Sequence, residues 1–486
     1  MNFHQIVILI AIVWYVVTAW FSSGYIQLDE HYQIIEFAGY INGWNDANDL
    51  AWEFNSQIRS SIQPYFAALI LKFCGWINVT NPFSQAFALR LLTALFSVFS
   101  ITIFVNSVKS LISKKFWKPF ILLSYFIWFL PYINVRFSSE TWSGLFLLLS
   151  ISILITKNKN LTQYWWIGIL LGLSFLFRFQ AGIVIATIGC WLLIKDKISL
   201  INIAMISLGF IFIFFLGVIS DFFFYGNLTI TPWNYFYVNL IEGVASNFGV
   251  SPFYFYFQEI YFKSFIPFGV LIFTSIIIAI IKKREELIFW IVLIFIISHS
   301  LISHKEFRFI FPIINLLPIF IIWSLEEINK LNLNITKGKA IIIFVFLISS
   351  VNTIGLIVAS TTPPSSGIIE IAKQISLLEK KKNVNFMFTG EANPYAPWNC
   401  KANFYLENNL NTQKIFSKSR YSNSKISQDT TDVFAFSIND SNRKIVKKII
   451  NNLNLKYRGK NVSNWALPFF LVYNAHDKNV ILLYSN

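Results

Sequence analysis

The 486-residue sequence predicts a polytopic α-helical membrane protein with a small α/β domain at its C-terminal end. Three observations carry that expectation. Hydrophobic residues make up 55% of the chain and charged residues 13%, about half the charge of a typical soluble domain. Apolar runs long enough to cross a bilayer recur up to about residue 359, and helices are how such runs satisfy their backbone groups in lipid. Beyond Thr361 the chain turns polar, and short strand-like runs alternate with helix-like patterns.

Taken in order, candidate spans lie near 5–22, 61–76, 85–108, 117–133, 140–156, 163–178, 180–194, 199–219, 264–282, 287–303, 308–325 and 340–359. The first is too long and too aromatic for a secretory signal and no small-residue cleavage site follows it, so it reads as a retained helix. Basic turns mark the cytoplasmic side: Lys109/Lys114/Lys115/Lys118, Lys157/Lys159, Lys195/Lys197, Lys282/Lys283/Arg284 and Lys330/Lys337/Lys339. Segments 220–263, 304–307 and the tail from 361 fall on the opposite side. The alternation holds from Lys109 onward and fails by one crossing when extended back to the N-terminus. Either one segment between 61 and 108 is re-entrant or split, or one basic cluster breaks the rule, and eleven or thirteen spans are expected, not twelve.

Thr362-Pro363-Pro364-Ser365-Ser366-Gly367 marks a boundary. It divides a membrane body, 1–360 with external loops 23–60 and 220–263, from an outer-face domain, 361–486. In that domain Val384–Phe388, Val433–Phe436 and Val480–Tyr484 read as strands, with helical patterns at 368–381 and 443–453.

Of three cysteines, Cys74 and Cys190 fall in apolar segments and Cys400 in the tail. They form no disulfide framework, and neither CxxC nor His-rich spacing occurs, so no metal or other cofactor is called for. The net charge of +15 is membrane-side and tail charge, which argues against nucleic acid as a partner.

Chemistry concentrates in a few places. The stretch 29–64 holds Asp29, Glu30, Glu36, Asp46, Asp49 and Glu53 interleaved with Tyr32, Tyr40, Trp44, Trp52 and Phe54. It reads as the wall of a reaction chamber lying against the bilayer, with a solvated acidic loop as the plainer alternative. Ionisable groups at membrane depth are costly and so point to function. The densest set is His304-Lys305-Glu306-Phe307-Arg308-Phe309, suited to gripping a phosphate or, more simply, to ending a helix with snorkelling cations. Arg136 with Glu140, Arg178 between apolar neighbours, and Arg59 before Pro64 follow. The segment Asp221…Tyr225-Gly226…Thr231-Pro232-Trp233-Asn234-Tyr235…Asn239 offers aromatics and amides for stacking on sugars, or an interfacial belt.

These motifs, in this order, resemble the polyprenyl-phosphate-mannose-dependent α-mannosyltransferases of glycosyltransferase family 22, which add mannoses to the GPI anchor and to the lipid-linked N-glycan precursor. His304-Lys305-Glu306-Phe307-Arg308-Phe309 matches the family's H-K-E-x-R-F. Asp29-Glu30 opens a first external loop that ends at Arg59-Ser60 and Pro64. Arg136–Glu140 resembles an arginine-serine-glutamate stretch, and the Asp221–Asn239 segment resembles D-x-x-x-Y-G…P-x-N-Y/F…N. The resemblance covers roughly residues 1–360.

It implies a GT-C fold, a polyprenyl-phosphate sugar donor, a glycolipid or lipid-linked glycan acceptor, and an inverting single displacement. Asp29 matches the position of the base that accepts the acceptor's proton, with Glu30 as the alternative. His304, Lys305 and Arg308, with Arg178, are expected at the donor phosphate. Arg59, Arg136, Glu140, Asp221, Tyr225, Trp233 and Asn234 are expected at the substrates. Transfer of another sugar by the same mechanism is one rival; a lipid-linked-substrate transporter or flippase is another. A transporter predicts inverted repeats, which the sequence lacks. The expected site is a bacterial inner membrane with a periplasmic active site, with an endoplasmic reticulum membrane and a luminal active site as the alternative.

Overall fold

The computed structural model describes residues 2–330, 339–364, 367–379, 383–389, 392–396, 401–406, 411–414, 430–438, 443–461 and 480–485. Lys337, Ser365, Ser366 and Cys400 lie outside the described residues. The chain groups into two compact units. The first comprises Met1–Ala19, Glu53–Gln63 and Arg90–Ser360; the second comprises Trp20–Trp52, Pro64–Leu89 and Thr361–Asn486.

The first unit is helical. Among the described residues of the whole chain, five helices are long and apolar enough to cross a membrane, beginning at Phe3, Pro82, Leu200, Phe307 and Ile343. Five shorter apolar helices accompany them: Ser139–Ile155, Leu161–Phe177, Ala181–Ile194, Ile266–Lys282 and Leu287–Leu301. The expected span at 117–133 is broken into Trp117–Phe126 and Leu130–Asn134. Pro131 explains the restart, since its fixed φ and missing N–H suit a first turn and not a helix interior.

Lipid removes the hydrophobic drive between helices, so close backbone packing must supply the contact. Leu161–Phe177 lies along Leu200–Tyr225, and a Cβ at Gly168 would sit 2.0 Å from the Ile206 carbonyl oxygen. Only glycine permits that approach.

The turns read as cytoplasmic meet one another at one end of these helices. Lys195 Nζ lies 2.6 Å from Glu285, Lys330 2.7 Å and Lys283 3.8 Å from Glu327. The Ser113 N–H donates to Glu326 at 2.7 Å. The expected span at 61–76 is the helix Ile62–Trp76. This helix carries Gln63 and an exposed Lys72, and from Pro64 onward it groups with the second unit.

The second unit holds a five-stranded sheet in the order β2-β1-β3-β5-β4, where β1 is Asn383–Thr389, β2 Asn411–Lys414, β3 Thr430–Ile438, β4 Lys456–Lys460 and β5 Val480–Ser485. β2 and β3 run parallel to β1, while β5 runs antiparallel to β3 and β4. Helices Ile368–Glu379 and Arg443–Asn452 accompany it. The three strand readings are borne out, and the two helix readings are borne out over 368–379 and 443–452, with 380–381 outside the described residues. The alternating strand residues Phe434 and Phe436 are buried with Val446 and Leu455 in one small core.

Candidate active site

In the first unit a polar cluster is built where helix ends converge, at the end opposite the basic turns. Ser138 caps helix Ser139–Ile155, accepting from the Thr141 N–H at 3.2 Å. That places Glu140 in the first turn, where the helix dipole favours a carboxylate. Arg178 follows the last turn of Leu161–Phe177. Arg308 opens Phe307–Leu316, a 3-10 stretch that contains Pro312. Gly144 lets that stretch press on the Glu140 helix: a Cβ there would lie 2.7 Å from the Pro312 carbonyl oxygen.

Glu140 Oε1 then receives Arg308 Nη1 at 2.9 Å and Arg178 Nη1 at 3.0 Å. All three residues are buried. Arg308 also grips Glu306 as a fork, Nε to Oε2 at 2.8 Å and Nη2 to Oε1 at 2.9 Å, the bidentate geometry that lysine cannot reproduce. Both guanidiniums stand over the Phe309 ring, at 5.0 Å for Arg178 and 5.3 Å for Arg308. His304 Nε2 lies 3.3 Å from Glu306. That contact raises the His304 pKa against the effect of burial. Burial works to raise the Glu306 carboxyl, but the bonds from His304 and Arg308 outweigh it and hold it well below the usual carboxylate range.

His304 and Lys305 also staple a neighbouring loop. His304 Nδ1 meets the Gly249 carbonyl at 3.0 Å, and Lys305 Nζ donates to the carbonyls of Ser251 at 2.8 Å and Ile302 at 2.5 Å. Lys305 is buried and its ammonium is turned to backbone oxygens, and desolvation lowers its pKa. Arg136 is buried in the connection before Ser139–Ile155.

A second group pins the end of the first loop. Asp221 accepts the Ser61 N–H, the Ser61 hydroxyl and the Thr231 hydroxyl, each at 2.7 Å. The Tyr225 hydroxyl donates to the Arg59 carbonyl at 2.7 Å, and Asn234 Nδ2 donates to the Gln57 carbonyl at 3.2 Å. Arg59 lies 5.6 Å from the Tyr235 ring. Thus Asp221, Tyr225, Asn234 and Arg59 come together as one clamp, while Trp233 stays 60% exposed.

In the second unit Asp29 and Glu30 share the short helix Leu28–Tyr32. Glu30 is buried and accepts the Ile26 N–H at 2.9 Å, whereas Asp29 keeps partial exposure. Beside them is a buried set that sequence reading missed. His31 Nε2 lies 2.8 Å from Glu36 Oε1, which also accepts the Phe404 N–H at 3.1 Å. Asn45 Nδ2 donates to Glu36 Oε2 at 2.9 Å. The His31 ring is stacked with Tyr25 at 5.4 Å and Tyr405 at 5.3 Å. No periodicity links these residues, so no sequence signal announced them. Tyr256 and His299, near the arginine cluster, were missed as well. For His299 a signal existed: an ionisable residue inside an apolar run.

The apolar body with polar residues gathered at one end of its helices has a GT-C fold. ArnT from Cupriavidus metallidurans, solved bound to undecaprenyl phosphate, shares the fold with a TM-score of 0.52 at 11% identity, over 99% of this chain and 97% of that one. The chain belongs to the Alg9-like mannosyltransferase family, whose model matches residues 5–394, and it is a mannosyltransferase. It is 27% identical to GPI mannosyltransferase 3 of Candida albicans over 395 residues, 81% of this chain and 74% of that protein. A Schizosaccharomyces pombe protein named as a probable Dol-P-Man:Man(7)GlcNAc(2)-PP-Dol alpha-1,6-mannosyltransferase is 30% identical over 214 residues, 42% of this chain and 38% of that one. Of several further curated relatives the matched part spans little more than half their length.

Proposed function

We propose that the protein moves a mannosyl residue from a polyprenyl-phosphate donor to a hydroxyl of a glycolipid or lipid-linked glycan, inverting the anomeric carbon in one displacement. The observation that carries this reading is the pair of buried guanidiniums, Arg178 and Arg308, held by Glu140 and Glu306 at the end of the helices opposite the basic turns. A lipid phosphate leaves with the electron pair of its bond to the sugar, and preorganised cations stabilise that charge without reorganising. The acceptor oxygen forms the new bond as its proton passes to Asp29. Partial exposure favours Asp29 over Glu30, whose carboxylate already takes a backbone N–H. The Asp221 clamp and Arg136 shape the site around the substrates, and His304 and Lys305 hold the loop that borders the phosphate.

One helix supports a lipid donor. Phe255–Lys263 carries Tyr256 on its buried face, while Phe257 and Tyr261 line an apolar groove of about 520 Å³ against Val270, Phe273 and Ile277. We assign the prenyl chain to that groove. The named relatives come from yeasts, a plant and animals, which favours an endoplasmic reticulum membrane over the bacterial inner membrane.

The test is transfer by the purified full chain in nanodiscs, given polyprenyl-phosphate mannose and a glycolipid acceptor, with GDP-mannose as the competing donor. Wild type should use only the lipid donor. Asp29→Asn should lose at least about a hundredfold in turnover, the usual weight of a general base, with expression unchanged. Near-normal turnover in Asp29→Asn, or transfer from the nucleotide sugar, would overturn the reading.

A further inference from the structure

Around the arginine cluster, three polar atoms of deeply buried side chains have no hydrogen-bond partner among the described residues: Tyr256 Oη, His299 Nε2 and Arg178 Nε. Tyr256 is 0%, His299 2% and Arg178 4% exposed. Buried polar atoms are nearly always paired, because leaving one bare costs about 1–3 kcal/mol. Three such atoms around one cluster therefore point to a ligand group that completes them. They are neighbours: the Tyr256 and His299 rings meet edge to face at 6.4 Å, and the His299 ring lies 6.5 Å from Phe309, over which Arg178 is stacked.

Their chemistry is specific. His299 Nδ1 faces the Phe295 carbonyl at 2.9 Å, and a carbonyl can only accept, so Nδ1 carries the hydrogen. In the neutral ring Nε2 is then an acceptor. Tyr256 Oη and Arg178 Nε are donors. A phosphate oxygen offers no hydrogen to His299 Nε2. A hydroxyl offers both, donating to the imidazole and accepting from the phenol or the guanidinium.

Building on the donor assigned above, we propose that Tyr256, His299 and Arg178 form a sugar-hydroxyl subsite that reads the mannosyl ring of the donor beside its phosphate. Tyr256 and His299 are thus specificity-determining residues, acting on the transferred sugar and not on the lipid phosphate.

The test uses the full chain in nanodiscs and two probes, polyprenyl-phosphate mannose and sugar-free polyprenyl phosphate, with Tyr256→Phe, His299→Phe and His299→Gln. Direct binding is measured for both probes, and transfer kinetics for the first. A lost hydrogen bond in a site built for hydroxyls gives large discrimination. Tyr256→Phe and His299→Phe should each lower kcat/KM for the mannosyl donor by about ten- to a hundredfold. Binding of sugar-free polyprenyl phosphate and the KM for acceptor should stay within twofold. His299→Gln, which retains an acceptor, should recover part of the loss. Unchanged donor kinetics in both phenylalanine variants would overturn the subsite, as would an equal loss of sugar-free polyprenyl phosphate binding. If wild type itself fails to use the lipid donor, the donor assignment falls instead. The direct binding comparison still judges the subsite separately, since a hydroxyl-reading pocket must distinguish the two probes.

Discussion

Two carboxylates, Glu140 in the first unit and Glu36 in the second, are buried to nearly the same degree, yet they are held by opposite means. Glu140 takes two guanidiniums, from Arg178 and Arg308. Glu36 takes an imidazole nitrogen, a side-chain amide and a backbone N–H. Guanidiniums stay charged at any accessible pH, so the first arrangement is a permanent charge array and its carboxylate is indispensable. The second is a hydrogen-bond junction that ties residues far apart in sequence. The two buried carboxylates are told apart by their partners, not by their burial.

The largest expected effect breaks that contrast on the charged side. Glu140→Ala leaves two buried guanidiniums without their shared partner, and breaking a buried pair in this way costs about 3–5 kcal/mol. Glu140→Gln should recover little of it. At the other arm of the cluster, Arg308→Ala should weaken use of the donor by roughly ten- to a hundredfold, the value of a charge-assisted bond, and Arg308→Lys should restore only part because the fork is lost. Thermal unfolding in detergent and donor-titration kinetics check both. Full function in Arg308→Lys would reduce Arg308 to a structural cation.

At Glu36 the expected pattern differs. Glu36→Ala strips three buried partners and should cost about 2–3 kcal/mol, whereas Glu36→Gln keeps an acceptor and should cost clearly less. Equal losses for glutamine at 36 and 140, measured by unfolding midpoints of the four variants, would erase the distinction drawn above.

A smaller effect tests what positions Arg308. Gly144→Ala adds a methyl 2.7 Å from the Pro312 carbonyl oxygen and 2.8 Å from its Cα. Backbone cannot swing aside as a side chain can, so overpacking should cost about 1–3 kcal/mol. Since Phe307–Leu316 carries Arg308, donor use should fall with it. A stable Gly144→Ala protein with unchanged donor kinetics would mean that the close approach does not set the site.

How much of this was legible depended on the range of the interaction. Apolar runs and alternating residues such as Phe434 and Phe436 showed their elements directly, because burial acts on local periodicity. The H-K-E-x-R-F stretch announced a charged site. The break after Phe126 was readable in principle from Pro131. The Glu36 junction was not, since Phe404 lies 368 residues away and a backbone N–H leaves no mark in sequence. Nor was the use of Asp221: aromatics and amides suggested a sugar-stacking face, while the structure engages Asp221, Tyr225 and Asn234 on the backbone or hydroxyls around 57–61 and 229–231. A side chain's partner is fixed by packing that composition does not reveal.

The smallest expected effect lies at the edge of the second unit, where Asp49 Oδ1 meets Lys401 Nζ at 2.6 Å and Oδ2 receives Asn403 Nδ2 at 3.1 Å. The Lys401 side chain is 61% exposed and that of Asp49 22%, unlike either buried carboxylate. The hydrogen bond from Lys401 holds the Asp49 carboxyl below its usual range, against slight desolvation. A depressed carboxylate contributes stability above its unfolded pKa, near 3.9. That stability is lost as pH falls through the lower folded value. For a solvent-screened pair the contribution is about 0.2–1 kcal/mol. Asp49→Asn should therefore unfold slightly earlier than wild type at pH 7, and the gap should shrink in 1 M salt, where the Debye length is only ~3 Å. Once the pH has fallen below the depressed folded pKa of Asp49 the two proteins should converge. A gap that persists at low pH, or exceeds the surface-pair range and ignores salt, would place Asp49 with Glu36 as part of the buried junction.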